Sequence, residues 1–190
     1  MVCAFILFQI LIPSANAQTW DWSPPANYHA AVCIVRISAR RNQEGEEGWY
    51  IGSGVLVKYG ELTGILTAAH MMNGKRIVVE YGDGTKSQVE AKDYTTDKFG
   101  HDLAFLFAIT PGFIEPIAIA EQNPSAGDRV EFVTTGGPES RLRSFWATVR
   151  SVANDTTEYN CDVLDGDSGG GILNAKGRLI GIQAYGIWPK

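Results

Sequence analysis

The sequence predicts an all-β fold built as two small antiparallel barrels, and three observations predict it. Its apolar stretches are short, they are separated by glycines and polar turns, and they rarely repeat at helical spacing. They also fall into two groups, six and then five, on either side of a proline-bounded connection at 111–124. That count fits two barrels. The chain has 190 residues, 45% apolar and 19% charged, with 21 glycines, which is ordinary globular usage. Collagen-like, coiled-coil and wholly disordered chains are excluded, and the length suffices to bury a core.

Taken in order, residues 1–17 read as a signal peptide outside the fold. Val2 to Ile12 is apolar except for Gln9, Pro13 follows, and Ala15-Asn16-Ala17 gives an A-x-A cleavage pattern. The run is well short of the roughly 20 residues that cross a bilayer, so no membrane span is expected once it is removed. This places the mature chain outside the cytoplasm, secreted or periplasmic. Residues 18–30 are a lead-in containing Ser23-Pro24-Pro25. The first barrel, 31–115, has strands expected at 31–37, 49–57, 64–67, 76–81, 87–94 and 103–108. Asp83-Gly84 marks a hairpin, and the polar stretch 41–48 a loop. The second barrel, 116–190, has strands expected at 129–134, 144–152, 157–161, 171–173 and 178–185.

The net charge is −5, and no basic stripe marks a nucleic-acid surface. The local basic clusters, Arg40-Arg41 and Arg141-Leu142-Arg143, read as solvated surface charge. Cys3 leaves with the signal peptide. Cys33 and Cys161 remain, either bridged or as two separate buried thiols. A bridge would close a long loop, stabilising the chain by about 4–5 kcal/mol on chain-entropy grounds. No His, Cys or carboxylate cluster has metal-ligand spacing, so neither a metal nor another cofactor is expected.

The chemistry centres on Gly166-Asp167-Ser168-Gly169-Gly170. A serine between glycines, just before a strand, sits on a tight turn with its hydroxyl exposed. The glycines let successive N–H groups converge on one small space, which can hold an oxyanion. A specified string of five arises by chance on the order of once in a million starts. A serine hydroxyl needs a base. Of the three histidines, His29 lies in the lead-in, and His101 opens the apolar run from Leu103. His70 follows Leu66-Thr67-Ala68-Ala69, where an apolar strand leaves the core. Asp102, at the mouth of the next buried strand, is placed to fix an imidazole tautomer.

The order His70, Asp102, Ser168, with the strings around each, resembles the chymotrypsin-like (trypsin-fold) serine proteases. Thr67-Ala68-Ala69-His70 resembles the family's histidine motif, His101-Asp102-Leu103-Ala104 its aspartate motif, and 166–170 its serine motif. Gly52-Ser53-Gly54 resembles the compact bacterial members. The resemblance runs from Ala31 to Gly186 and implies two Greek-key barrels with a cleft between them. It implies His70 as general base and acid, Asp102 as its orienter, Ser168 as nucleophile, and the amides of Gly166 and Ser168 as the oxyanion hole. It further implies that Ala184-Tyr185-Gly186 pairs with substrate backbone, and that the partner is a peptide or protein substrate. Asp162, six residues before Ser168, is either a trypsin-like pocket acid or a solvated loop residue.

Two features depart from the family. Only Ile187-Trp188-Pro189-Lys190 follow Gly186, so the second barrel is short of its last strand. Its edge is left open, or covered by Trp20 and Trp22, or covered by a partner. No zymogen-type activation sequence is present, and Gln18, able to cyclise, offers Asp167 a poor amine. The rival to an endopeptidase is therefore a catalytically weak peptide-binding module on the same fold.

Overall fold

The computed structural model describes residues 2–6, 31–40, 47–73, 76–82, 84–90, 94–98, 100–107, 114–137, 141–153 and 156–187, with backbone alone at 2–6, 32–40, 47–49, 73 and 185–187. The described residues form fourteen strands and almost no helix. The first half carries β2 (Val32–Arg40), β3 (Glu47–Tyr59), β4 (Leu62–Thr67), β5 (Arg76–Glu80), β6 (Lys86–Val89), β7 (Tyr94–Thr96) and β8 (Ala104–Leu106). These pair in the order β6-β5-β2-β3-β4-β8-β7, and β9 (Ile117–Ala118) adds to β3 in parallel. Among the described residues this sheet does not close on itself. The stretch expected as one strand at 87–94 is split between β6 and β7, which lie at opposite ends of the sheet.

Alternation explains these elements. In β5 and β6 every second side chain is buried, the signature of a sheet with one wet face. Between them Gly84 takes a positive φ of 85° and Gly84 N donates to Tyr81 O, making the expected hairpin. Beyond its first two residues, β4 is buried throughout, because the sheet packs there against the second half.

The second half carries β10 (Arg129–Thr134), β11 (Arg143–Ala153), β12 (Thr156–Asn160), β13 (Gly171–Leu173) and β14 (Leu179–Ile187). The barrel closes as β1-β12-β11-β10-β13-β14. The sixth strand is β1 (Val2–Ile6), antiparallel to both β12 and β14. This corrects one expectation: the second barrel is not left open, its sixth strand coming from residues 2–6 of the expected leader. The physical reason is that an apolar extended segment satisfies the N–H and C=O groups of two otherwise bare edges at once. Trp20 and Trp22 lie outside the described residues.

Two apolar cores result. One spans both halves, with Val55, Ile65 and Leu106 packed with Val133, Leu173 and Ile182. The other lies inside the closed barrel, where Phe132 stacks on Phe145 and meets Tyr159 edge-on. Each such buried side chain contributes about 1.5–3 kcal/mol relative to exposure. The shared first core fixes the two halves against each other, and the candidate site lies along that seam.

Candidate active site

Strand pairing brings His70 and Asp102 together. The ladder between β4 and β8 ends on the pair Thr67–Ala104, so the residues just after β4 and just before β8 emerge side by side. After Thr67 the chain turns into a short 3-10 helix, Ala69–Asn73, pinned by buried Met71 and Met72. His70 N donates to Asp102 Oδ1 at 2.7 Å, and His70 Nδ1 lies 2.6 Å from Asp102 Oδ2. One carboxylate thus holds both the backbone and the ring of one histidine. His101 is held separately, its N and Nδ1 bonding to Asp97 Oδ2 at 3.0 and 2.8 Å.

Burial pushes the Asp102 carboxyl up, but the ring and backbone hydrogen bonds from His70, attraction to that imidazole, and the Ala69 N–H together leave it below its ordinary 3.8.

Ser168 lies on a turn that two networks hold in place. Gly169 N donates to Gln183 O at 2.7 Å, and Gln183 N donates to Gly170 O at 2.8 Å, tying the turn to β14. Ser53 N, on β3, donates to Ser168 O at 2.7 Å, which brings the serine to the seam between the halves. Gly169 has φ of 85°, and a Cβ there would meet Ser53 O at 2.0 Å, so no other residue fits. Gly166, with φ of 92°, takes the other left-handed position. No protein acceptor takes the amide of Gly166 or Ser168 among the described residues. Nor does any hydrogen bond join Ser168 to His70 there. Their link rests on the seam alone.

Ser53 is a site-supporting residue whose contacts the sequence did not disclose. Fully buried, its Oγ donates to Gly166 O at 2.9 Å, accepts from Thr135 N at 2.8 Å, and lies 3.0 Å from Thr135 Oγ1. Replacing Ser53 by alanine removes the partner of Thr135 N and of Gly166 O, while Thr135 Oγ1 keeps its bond to Gly52 O at 3.4 Å. The expected loss is about 1–3 kcal/mol of stability, read by denaturant unfolding. A midpoint equal to that of the unmodified chain would show that the hydroxyl is dispensable.

The remaining expected positions separate. Ala184 is buried on β14, and Tyr185 and Gly186 continue that strand. β13 pairs with β14 only through Ile182, so the β14 edge beyond Gln183 is unpaired on that side among the described residues. Asp162 is exposed, which fits a loop position rather than the base of a pocket. Cys161 packs against the closed barrel's core, whereas Cys33 lies on β2 of the other sheet. An apolar cavity of about 380 Å³, lined by Leu62, Leu66, Phe105, Phe107, Ile180 and Ile182 among others, includes none of His70, Asp102 and Ser168. Among the described residues no group of three or more His, Cys, Asp or Glu could hold a metal ion. No helix among them is long and apolar enough to cross a membrane.

The fold resembles the serine endoprotease from Yersinia pestis, with a TM-score of 0.63 at 24% identity. That match covers 84% of this chain and 58% of the other, so the chain spans little more than half the length of that protein. No curated relative matches the chain. The family model of the trypsin-like peptidase domain matches residues 52–182, which takes in His70, Asp102 and Ser168 with the seam that joins them. A match over most of the sequence, on a fold of the same kind, means that this chain belongs to the trypsin-like peptidase family.

Proposed function

We propose that the chain is an exported serine endopeptidase that hydrolyses peptide bonds through an acyl-enzyme. The observation that carries this reading is the double hydrogen bond from His70 to Asp102, beside a serine turn whose Gly166 and Ser168 amides meet no protein acceptor among the described residues. Asp102 holds the proton of His70 on Nδ1, which leaves Nε2 to accept the Ser168 proton. Ser168 Oγ attacks the scissile carbonyl carbon, and the carbonyl oxygen becomes an oxyanion held by the N–H groups of Gly166 and Ser168. Each such donor is worth about 3–4 kcal/mol at the transition state. His70 then returns the proton to the leaving amine. Water, activated by the same imidazole, releases the acyl group. The unpaired β14 edge at 184–186 receives the substrate backbone as an added strand.

Export rests on the leader pattern of residues 1–17. Removing that leader takes β1 with it and bares the edges of β12 and β14 to another segment. Cys161 is a free thiol and Cys33 lies on the other sheet, so of the two arrangements separate thiols are expected. Both should alkylate without reductant, and an intact mass two hydrogens lower before reduction than after it would show a bridge instead.

A second reading, a catalytically weak peptide-binding module, is favoured by the missing hydrogen bond between Ser168 and His70 and by the same unpaired strand edge. Labelling with a serine-directed fluorophosphonate separates the two. The endopeptidase reading expects one label per chain, lost in Ser168→Ala. A chain that binds peptides and takes no label is the module.

A further inference from the structure

Strand β7 ends at Thr96, β8 begins at Ala104, and these two residues are opposed in the last pair of their ladder. The hairpin loop between them delivers Asp102, two residues before β8, to His70. On the other side of β8 the ladder with β4 likewise ends at Ala104, paired there with Thr67. Both ladders therefore stop short of Asp102. Asp97, the first residue after β7, takes over where they stop. Its N–H donates to Leu103 O at 2.9 Å, and Leu103 N donates to His101 O at 2.9 Å. The second bond spans two residues and closes a γ-turn with Asp102 at its apex. Asp97 Oδ2 then accepts from His101 N at 3.0 Å and from His101 Nδ1 at 2.8 Å. Asp97 thus holds both arms of the turn, Leu103 by its backbone and His101 by its side chain. Gly100, with φ of 90°, lets the chain double back so that an N–H four residues on reaches the carboxylate. The Asp97 side chain is only 13% exposed, and the two His101 donors offset its desolvation. The pattern recurs one residue on, where the Asp102 carboxylate takes the N–H and Nδ1 of His70. Two acid–histidine clamps stand in series, Asp97 on His101 and Asp102 on His70.

We infer that Asp97, through His101, is a positioning residue for the proposed reaction: it sets the backbone on either side of Asp102 and so the direction in which that carboxylate meets His70. It acts on the reacting atoms only through Asp102. Because both clamp bonds end on one oxygen, the requirement is for an acceptor in that place and not for its charge.

This inference rests on the endopeptidase reading. Its test compares the full chain with Asp97→Leu, which keeps the shape and loses the acceptor, and with Asp97→Asn. An asparagine carbonyl in place of Oδ2 accepts both His101 donors and carries no charge. Each chain is assayed for kcat, KM, fluorophosphonate labelling rate and the downfield proton resonance of the His70–Asp102 hydrogen bond, identified by its loss in His70→Ala. Loosening Asp102 should lower kcat and labelling rate of Asp97→Leu by about 10–10²-fold, the scale set by misplacing a catalytic group by about 1 Å. The resonance should move upfield and KM should stay where it was, while Asp97→Asn should keep most of the rate. Added to Asp102→Asn, Asp97→Leu should cost nothing further, because the carboxylate it aims is already gone. A purely structural role would lower the rate alike in both backgrounds. Unchanged kcat and resonance in Asp97→Leu would overturn the inference. So would equal losses in Asp97→Leu and Asp97→Asn, which trace the effect to charge, or a full further loss beside Asp102→Asn. If Asp97→Leu does not fold, His101→Phe takes its place, keeping the backbone N–H and removing the ring donor. Full kcat with an unmoved resonance in that variant overturns the inference, and lower kcat at an unchanged melting temperature supports it. An unlabelled wild-type chain would instead overturn the endopeptidase reading and this inference with it. A labelled wild type matched by an equally labelled Asp97→Leu chain defeats the inference alone.

Discussion

Replacing Ser168 by alanine should lower peptide-bond hydrolysis by about 10⁴–10⁶-fold while leaving the fold intact. The size of the loss follows from the division of labour proposed for the site. Nucleophile, base and orienter act as one unit, so removing the nucleophile also removes the benefit of the other two. Folding should survive because the contacts that hold the turn belong to the backbone. Ser53 N still donates to the carbonyl of residue 168, and Gly169 and Gly170 keep their bonds to Gln183. Alanine accepts the same backbone conformation, and only a hydroxyl with no protein partner in the described structure is lost. The check is kcat/KM on a peptide substrate beside a thermal melt. A variant that melts like the parent and cleaves at the parental rate would remove Ser168 from the mechanism. A variant that unfolds would show that the hydroxyl holds the turn.

What could be read from the sequence divides by distance along the chain. The serine turn was legible because its glycines, acid and serine are contiguous, and the positive φ at Gly166 and Gly169 is a local demand. His70 and Asp102 were legible as strand-end residues, and the β4–β8 register then explains how they meet. The supporting contacts were not legible. Ser53 lies 113 residues from Gly166 and 82 from Thr135, and nothing around Gly52-Ser53-Gly54 states which loop its hydroxyl will meet. Arg143 lies 24 residues from Asp167 and reads as surface charge until the β10–β11 ladder turns it inward. The strand at residues 2–6 was not legible for a different reason. A short apolar run followed by a small-residue cleavage pattern has the same composition whether it leads export or fills a barrel edge. Only the bare edges of β12 and β14, which are tertiary features, distinguish the strand. β9 was missed because a two-residue parallel pairing with β3 leaves no periodicity to detect.

Asp102→Asn should cost about 10⁴-fold in kcat at neutral pH with the backbone unmoved. The carboxylate accepts twice from His70, from the backbone N–H and from Nδ1, and an acceptor-only group leaves the ring one tautomer, with its proton on Nδ1. An asparagine can satisfy the backbone N–H through its carbonyl oxygen, but it then turns its NH₂ towards Nδ1. That donor forces the imidazole proton onto Nε2, where the Ser168 proton has to go. The same substitution has a stability signature with a definite sign. The Asp102 carboxyl titrates lower in the folded chain than its ordinary 3.8, so its ionised form favours the fold. That contribution is complete above the unfolded value of about 4 and is lost as pH falls through the depressed folded value. The stability gap between the unmodified chain and Asp102→Asn should therefore narrow as pH falls below about 4. Melting both chains across that acid limb, with kcat measured at neutral pH, tests the two halves together. A gap that widens as pH falls below about 4 would show that Asp102 is not held in its ionised form. Retained kcat would show that His70 finds its tautomer by other means.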